Sequence, residues 1–252
     1  MSRLKSKKAL VTGGGQGLGR AIAEELLRQG CDLAIHYHSS AEGCQQLKRV
    51  APAGARVECF AADLTSESEV FAMVSAAVDF LDGLDILVNN AGDIIARRQL
   101  GDVDLAFWQQ VMDVNVTSMM FVTRQALPFL KARENSSVVN VASLAGRMGG
   151  HAGSLAYSTA KGAVLTWTRS LAKELGPCGI RVNAVAPGLI LGTAFHATHT
   201  TPESAAATIA GIPLGRAGNP SDVARAVAYL AGEYDGFITG ATLDINGGVF
   251  GC

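Results

Sequence analysis

Tyr157 and Lys161 lie four residues apart in a segment, residues 154–174, whose apolar spacing predicts a helix. Residues four apart share one face of a helix, so the phenol and the ammonium group would point the same way. A free tyrosine, with a pKa of about 10, exchanges protons poorly at neutral pH. A fixed cation nearby favours the phenolate and lowers that pKa, which would let Tyr157 act as a general acid or base. Because this spacing occurs by chance in many amphipathic helices, the interpretation depends on the elements that position the pair.

Short apolar strands alternate with helical patterns along the chain, which predicts an α/β fold whose parallel sheet is covered by helices on both faces. Seven strands are predicted, at residues 8–12, 32–36, 56–61, 85–89, 137–142, 181–186 and 241–245. A helix is predicted between each successive pair of strands, and the longest covers residues 104–131. A chain of 252 residues fits a single domain, residues 1–252. Residues 189–218 are the one long irregular segment, which we expect to be an inserted loop that covers the substrate.

A glycine-rich turn, TGGGQGLG at residues 12–19, stands between the first predicted strand and the first predicted helix. Gly13 allows a tight turn, while Gly17 and Gly19 remove side chains where the backbone approaches a phosphate and where helix meets strand. A dinucleotide pyrophosphate would then lie at the helix N-terminus, beside free N–H groups and the positive end of the helix dipole. The turn lacks the Gly-Lys-Ser/Thr of a phosphate-binding loop, so nucleoside-triphosphate hydrolysis is not favoured.

Polar and glycine residues also follow three other predicted strands, at the sheet edge where such folds bind ligands. The segment Asn89-Asn90-Ala91-Gly92 ends the fourth strand, although two asparagines can equally mark a simple turn. Ser143 follows the fifth strand, and Pro187-Gly188 follows the sixth. Asn115 lies inside the long helical segment. Because asparagine is a mediocre helix former, its presence there indicates a role other than stabilising the helix.

The composition argues against several classes of function. Twenty-one basic and 22 acidic residues nearly cancel and no long basic run is present, so a nucleic-acid partner is not expected. No apolar run reaches the roughly 18 residues of a membrane span, and no secretory leader precedes the first strand, so a membrane partner is not expected either. The five cysteines are scattered without metal-ligand spacing: Cys31, Cys44, Cys59, Cys178 and Cys252. We therefore expect reduced thiols, no bound metal and a cytoplasmic location.

Six motifs follow one another along the predicted sheet: TGGGQGLG (12–19), NNAG (89–92), Asn115, Ser143, Tyr157-x-x-x-Lys161 and Pro187-Gly188. Each is weak alone, but the ordered set resembles the short-chain dehydrogenase/reductase family over residues 8–249. The resemblance implies a Rossmann-type, doubly wound sheet that binds a nicotinamide cofactor. It also implies a homotetramer built partly from the helices at residues 104–131 and 154–174.

The resemblance further implies roles for four catalytic residues. Tyr157 would donate a proton to the carbonyl oxygen during reduction, or remove it from the alcohol during oxidation. Ser143 would hydrogen-bond the same oxygen. Lys161 would lower the pKa of Tyr157 and bind the nicotinamide ribose, and Asn115 would hold a water that links Lys161 to solvent. The cofactor would supply the hydride, and the protein would supply geometry and electrostatics.

The cofactor-binding residues implied by the resemblance are Gly13, Gln16, Gly17, Leu18, Gly19, His36, His38, Ser39, Asp63, Leu64, Asn90, Ala91, Gly92, Tyr157, Lys161, Pro187, Gly188, Ile190 and Thr193. The sequence departs from the family pattern twice. The interval from Ser143 to Tyr157 is one residue longer, which we expect the glycine-rich residues 146–153 to absorb. Thr193 comes one position late after Pro187-Gly188, and Gly192 would let the loop bulge to restore its position.

NADP(H) is favoured over NAD(H), because no acidic residue ends the second strand, where a carboxylate would bind the ribose 2′-hydroxyl and repel a 2′-phosphate. His36, His38, Ser39 and Ser40 occupy this place and are expected to accommodate the phosphate. The opposing observation is Gln16, which replaces the basic residue that the family usually carries before the second motif glycine. Surface histidines without a ligand role are the alternative interpretation.

The predicted function is interconversion of a ketone and a secondary alcohol, most similar to NADPH-dependent 3-oxoacyl thioester reductases of the acyl-carrier-protein type. The alternative is a polyol, sugar or other secondary-alcohol dehydrogenase of the same family. The expected partner is a small carbonyl or alcohol substrate, including a carrier-bound acyl thioester. A non-catalytic cofactor-binding protein on the same fold is a different class of function, and it is disfavoured because serine, tyrosine and lysine are all present.

Overall fold

The computed structural model describes residues 4–232 and 236–251 and contains a seven-stranded parallel sheet. The strands are β1 (Lys8–Val11), β2 (Asp32–Tyr37), β3 (Val57–Ala61), β4 (Ile86–Asn89), β5 (Ser137–Val141), β6 (Arg181–Pro187) and β7 (Thr242–Ile245). Their order across the sheet is β3-β2-β1-β4-β5-β6-β7, so the direction of winding reverses between β1 and β4. The predicted Rossmann-type doubly wound sheet is therefore confirmed. Cys252 lies outside the described residues.

Helices connect the strands across both faces of the sheet. The α-helices are α1 (Gly17–Arg28), α2 (Ala41–Val50), α3 (Glu67–Leu81), α4 (Leu105–Met112), α5 (Ser118–Lys131), α6 (Ala145–Met148), α7 (Leu155–Leu175), α8 (Ala194–His199), α9 (Pro202–Ala210) and α10 (Pro220–Ala231). None of the helices in the described ranges has the length and apolarity that crossing a bilayer requires.

Two apolar layers hold the helices against the sheet. Successive strand residues point to opposite faces, so Val11 packs into the layer under α1, α2 and α10, whereas Leu10 packs into the layer under α3, α5 and α7. Both side chains are fully buried, and each burial of this kind contributes about 2 kcal/mol. This two-sided burial explains why the strands read as continuous apolar runs.

The predicted single helix over residues 104–131 is interrupted. A π-helical turn, Asp113–Thr117, separates α4 from α5 and contains Asn115. Such turns carry one extra residue and reorient side chains, and they are frequent at functional sites. The mediocre helix former at position 115 was the sequence signal for this departure.

The expectation that residues 189–218 are irregular is wrong, because the segment contains α8 and α9. Thr201 caps α9 by accepting a hydrogen bond from the Ser204 N–H, and Pro202 occupies the first turn. The alanine-rich run that follows has high helix propensity. The function of this segment as a substrate cover stays a prediction.

Candidate active site

A cleft of about 600 Å³ opens at the carboxyl ends of the strands, around the reversal point between β1 and β4. The structure brings every predicted cofactor-binding residue to its wall: Gly13, Gln16, Gly17, Leu18, Gly19, His36, His38, Ser39, Asp63, Leu64, Asn90, Ala91, Gly92, Tyr157, Lys161, Pro187, Gly188, Ile190 and Thr193. Ser143 lines the same cleft. Asn115 is buried behind the wall, at 1% exposure. Residues far apart in sequence therefore converge because the strands are parallel and end at one edge.

The glycine-rich turn forms a backbone cradle that fits a dinucleotide pyrophosphate. Gly13 and Gly17 adopt positive φ angles of 63° and 55°, which glycine accepts without strain. The turn opens into α1, whose N-cap residue Gln16 makes no capping hydrogen bond through its side chain. Gly17, Leu18 and Gly19, the first residues of α1, line the cleft, and the N-cap side chain does not occupy their N–H groups, as an anion site requires.

Within the glycine-rich turn, Gly19 is the position where a side chain is least tolerable. A Cβ atom there would lie 2.1 Å from the Gly13 carbonyl oxygen and 2.5 Å from Asn90 Nδ2. We expect Gly19→Ala to force α1 away from the turn and to weaken binding of a dinucleotide cofactor at least tenfold, at a cost of about 1–3 kcal/mol in the free energy of unfolding. Gly101→Ala is the matched control, because a Cβ there meets nothing within 4 Å. Fluorescence titration with NADPH compares the two, and equal affinities would contradict the assignment.

His36 supports the turn instead of facing a ligand. Its ring is buried at 2% exposure, Nδ1 accepts a hydrogen bond from the Gly13 N–H at 3.1 Å, and Nε2 lies 3.1 Å from the Ala62 carbonyl oxygen. The ring is thus neutral with its proton on Nε2, in keeping with a pKa lowered by burial. Both nitrogens are occupied, which contradicts the predicted phosphate role of His36, and its burial contradicts the surface alternative. His38 and Ser39 are exposed at the cleft.

The two asparagines after β4 separate into two roles. Asn90 Nδ2 donates to the carbonyl oxygens of Thr12 and Gly13, at 2.9 and 3.2 Å, and so joins the end of β4 to the glycine-rich turn. Asn89 points into the protein, where its Nδ2 donates to Thr123 Oγ1 and Asn140 Oδ1. The pattern is therefore more than a turn, since one side chain shapes the cleft and the other fixes β4 against β5.

Ser143, Tyr157 and Lys161 form one cluster. The Ser143 and Tyr157 side chains are hydrogen-bonded to each other, so the two hydroxyl groups lie side by side in the cleft. Lys161 Nζ lies 5.7 Å from the centre of the Tyr157 ring and donates to the Val141 carbonyl oxygen at 3.0 Å. The extra residue between Ser143 and Tyr157 does not separate them. The helix α6 and a loop with three glycines at positive φ, Gly149, Gly150 and Gly153, take up the length.

Asn115 is aimed at the lysine by the π-helical turn. Its Nδ2 donates to the carbonyl oxygens of Asp93 and Val111, at 2.6 and 2.9 Å, whereas its Oδ1 has no hydrogen-bond partner within the described ranges. A Cβ placed on Gly92 would lie 2.6 Å from that Oδ1 and 3.0 Å from Lys161 Nζ. The two atoms thus border one small space that glycine leaves open. A water there would have the acceptor and the donor it needs, which suits the predicted role of Asn115.

Comparison with known proteins gives this arrangement a family. A family model described as enoyl-(acyl carrier protein) reductase matches residues 13–250. The 2-(S)-hydroxypropyl-CoM dehydrogenase 3 of Xanthobacter autotrophicus is 35% identical over 98% of each chain. The 3-oxoacyl-[acyl-carrier-protein] reductase FabG of Vibrio cholerae is 36% identical, also over 98% of each chain. The chain belongs to the short-chain dehydrogenase/reductase family.

Solved structures agree with this membership. A short-chain dehydrogenase from Burkholderia cenocepacia in complex with NADP matches with a TM-score of 0.90 and 34% identity, over 98% of this chain and 99% of that one. The NADH-dependent reductase A1-R′, responsible for alginate metabolism, matches with a TM-score of 0.88 and 34% identity over the full length of both chains. As a short-chain dehydrogenase/reductase, the chain is an NAD(P)-dependent oxidoreductase.

The acid–base pair of this family member has pKa values that differ from the prediction. Burial raises the pKa of Tyr157 to about 12, and the Ser143 hydrogen bond only partly opposes that rise. Burial lowers the pKa of Lys161 to about 8. The expected lowering of the tyrosine pKa by Lys161 is therefore wrong here, because removal of both groups from water penalises the phenolate and the ammonium ion alike. At neutral pH the phenol keeps the proton that reduction of a carbonyl consumes.

Thr193 reaches the wall of the cleft despite its late position. Gly192 adopts a positive φ of 81°, as expected for the predicted bulge, and Thr193 is buried at 8% exposure. A Cβ on Gly17 would lie 3.7 Å from Thr193 Cβ, so the threonine packs directly against the glycine-rich turn. Its contact with the nicotinamide stays a prediction.

Sequence reasoning missed several cleft residues of this dehydrogenase/reductase. Asp93 and Arg97 line the cleft just beyond the NNAG motif, and His151 lines it from the loop before α7. No periodicity marks loop residues of this kind. The signal that was available is position, because a segment that follows a motif at a strand end must start at the cleft.

Proposed function

We propose that the chain is an NADPH-dependent 3-oxoacyl thioester reductase. The observation that carries carbonyl reduction is the hydrogen-bonded pair Ser143 and Tyr157, with Lys161 beside it at the end of the glycine-lined cleft. The thioester part of the proposal is supported by the resemblance to 3-oxoacyl-[acyl-carrier-protein] reductases.

The nicotinamide cofactor, when bound, supplies the hydride that reduces the carbonyl carbon. The protein's own part is to hold the carbonyl oxygen and to protonate it. Ser143 donates a hydrogen bond to that oxygen, and Tyr157 transfers its phenolic proton to it, so the ketone gains one hydride and one proton and becomes an alcohol. Lys161 and Asn115 return a proton to Tyr157 through the polar space beside Gly92.

NADP(H) is the proposed cofactor because, among the residues that the structure describes, no carboxylate lies in the cleft at the end of β2. His38, Ser39 and Ser40 line this place. The nearby Asp63 directs its Oδ1 to the Thr65 N–H at 2.9 Å and to the Thr65 hydroxyl at 2.7 Å, so this oxygen is held within its own turn. Related structures include an NADP complex and an NADH-dependent reductase, so the preference rests on these side chains.

A polyol or sugar dehydrogenase is the second candidate. Thr200, Ser204 and Thr208 line the cleft from the region of α8 and α9, and hydroxyl groups suit a polyhydroxylated substrate. The resemblance to a hydroxypropyl-CoM dehydrogenase also supports oxidation of a secondary alcohol.

The decisive assay follows nicotinamide absorbance with NADPH and then NADH against an acetoacetyl thioester, a simple diketone and a small sugar ketone. We expect thioester-dependent oxidation of NADPH. Turnover with NADH alone would contradict the cofactor proposal. Turnover of polyols in reverse, without thioester reduction, would replace the first candidate by the second.

We further propose a cytoplasmic homotetramer. The thiols of Cys31, Cys44, Cys59 and Cys178 are free, as a reducing compartment would keep them. Leu105 of α4 is 80% exposed, and Leu100 just before it is 71% exposed, which leaves apolar surface for a subunit contact. Light scattering behind size exclusion tests the assembly, and a monomer mass would contradict it.

A further inference from the structure

Arg97 is an exposed cation on the wall of the cleft. No carboxylate lies within ion-pair distance of it in residues 4–232 and 236–251. Its hydrogen bonds within the described ranges are long and go to backbone carbonyl oxygens, Nη1 to Ala152 at 3.4 Å and Nη2 to His199 at 3.5 Å. These contacts hold the side chain in place, and they leave most of its five N–H donors unused.

The neighbouring Arg98, in contrast, uses its guanidinium for contacts within the protein. Its Nη1 pairs with Asp104 Oδ2 at 3.3 Å, and its guanidinium stacks 4.2 Å from the centre of the Phe107 ring. Arg98 does not line the cleft. The two adjacent arginines therefore differ in surroundings, and only the first faces the place where a substrate would bind.

The charge of Arg97 acts at the reacting group. It lowers the pKa of Tyr157, whereas the carboxylate of Asp93 raises it. Asp93 has a basic neighbour, since its Oδ1 lies 3.8 Å from His199 Nε2. Arg97 therefore lies on the cleft wall near the catalytic tyrosine. Within the described ranges, no protein carboxylate neutralises its charge.

We propose that Arg97 binds an anionic oxygen group of the substrate, a carboxylate or a phosphate, while Ser143 and Tyr157 hold the carbonyl oxygen. A guanidinium presents a planar fork that matches either group with two parallel hydrogen bonds. His151, Ser204 and Thr208 add polar atoms to the same cleft. The inference rests on the proposed carbonyl reduction and narrows its substrates to those that carry a negative charge.

Two substrates supply this chemistry in different ways. A small oxo acid carries its carboxylate near the ketone, whereas a carrier thioester carries a phosphate at the far end of its pantetheine arm. Two matched pairs distinguish them. The first is acetoacetate against its methyl ester, and the second is acetoacetyl phosphopantetheine against acetoacetyl pantetheine.

The test compares Arg97→Gln with Arg98→Gln on both pairs, with the cofactor that the wild type uses. We expect Arg97→Gln to lower kcat/KM for the charged member of one pair about 10- to 100-fold more than for its uncharged partner, since a charge-assisted contact is lost. Arg98→Gln should change both members of a pair equally. Arg97→Lys, which keeps the charge without the fork, should give an intermediate ratio and guards against a folding defect.

If Arg97→Gln loses the preference for acetoacetate over its methyl ester, the substrate is an oxo acid. If it loses the preference for the phosphopantetheine thioester over the pantetheine thioester, the substrate is carried on a phosphopantetheine arm. Unchanged ratios on both pairs overturn the role of Arg97. The uncharged partners report on carbonyl reduction itself, so their inertness with the wild type is a failure of the proposed function. In that case, calorimetric titration of the charged ligands into cofactor-loaded protein still tests the role of Arg97. The inference is overturned if the wild type does not bind these ligands, or if wild type and Arg97→Gln bind them with equal affinity.

Discussion

Tyr157→Phe is expected to lower kcat for carbonyl reduction by about a hundred- to ten-thousand-fold, the range for loss of a positioned general acid. The substitution removes one hydroxyl from a ring that is half-buried against α4, so the fold should be unaffected. Because burial raises the pKa of the phenol to about 12, it keeps its proton across the neutral range. Steady-state kinetics together with an NADPH titration separate loss of chemistry from loss of binding.

Tyr229→Phe is the control for this variant, because Tyr229 is 55% exposed on α10 and outside the cleft. It should retain wild-type kinetics. If Tyr157→Phe kept most of its activity, the proton donor would have to be another group, and the assignment of the Ser143 and Tyr157 pair would be wrong. If it lost NADPH binding in parallel with kcat, the ring rather than the proton would be the essential feature.

Lys161→Met is expected to abolish proton replenishment and, at the same time, to raise the free energy of unfolding at pH 7 by about 2 kcal/mol. Lys161 is buried at 4% exposure, and the fall of its pKa from 10.5 to about 8 corresponds to a cost of about 3 kcal/mol for holding the charged form. Methionine fills the same volume without charge. Loss of the hydrogen bond from Lys161 to the Val141 carbonyl oxygen destabilises the variant by about 1 kcal/mol, which reduces the net stabilisation to about 2 kcal/mol. Urea denaturation and kinetics measure both effects.

The sign of the pH dependence separates this explanation from a packing effect. Between about pH 8 and pH 10 the folded wild type holds fewer protons on Lys161 than the unfolded chain does, so its stability should rise with pH. The raised pKa of Tyr157 reverses the trend only above pH 10. Lys161→Met should lose the rise, whereas Lys173→Met, at an exposed position on α7, should keep it. Parallel curves for wild type and Lys161→Met would contradict the buried-charge account.

The parts of the fold that repeat locally could be predicted from the sequence. Each strand is an apolar run followed by a turn, and TGGGQGLG requires a strand before it and a helix after it, so the sheet and the cleft edge followed. Asn115 was predicted correctly as unusual in a helix. The π-helical turn that reorients it was not, because an inserted residue leaves no periodic signature within five positions.

The predictions that failed depend on three-dimensional surroundings. The role of His36 was misjudged because the sequence cannot show that Gly13 and Ala62 bracket its ring. The direction of the Tyr157 pKa was misjudged because the spacing to Lys161 reveals proximity but not the burial that outweighs it. Helices α8 and α9 were missed because threonine and alanine without an apolar stripe resemble a loop. Arg97 was overlooked for the same kind of reason, since the sequence cannot show that no acidic residue of the described ranges pairs with it.

The histidine beneath the glycine-rich turn determines where cofactor preference can be re-engineered. In a fold of this type, the end of β2 is the obvious place to install a carboxylate for NAD(H). At position 36 an aspartate would remove the Nε2–H donor that faces the Ala62 carbonyl oxygen and would bury a charge beneath the turn, so it would damage binding of either nicotinamide cofactor. Position 38 lies two residues further along, at the same end of β2, and is exposed at the cleft. His38 does not support the glycine-rich turn as His36 does. A library aimed at switching this enzyme between nicotinamide pools should therefore keep residue 36 fixed and vary residues 38–40.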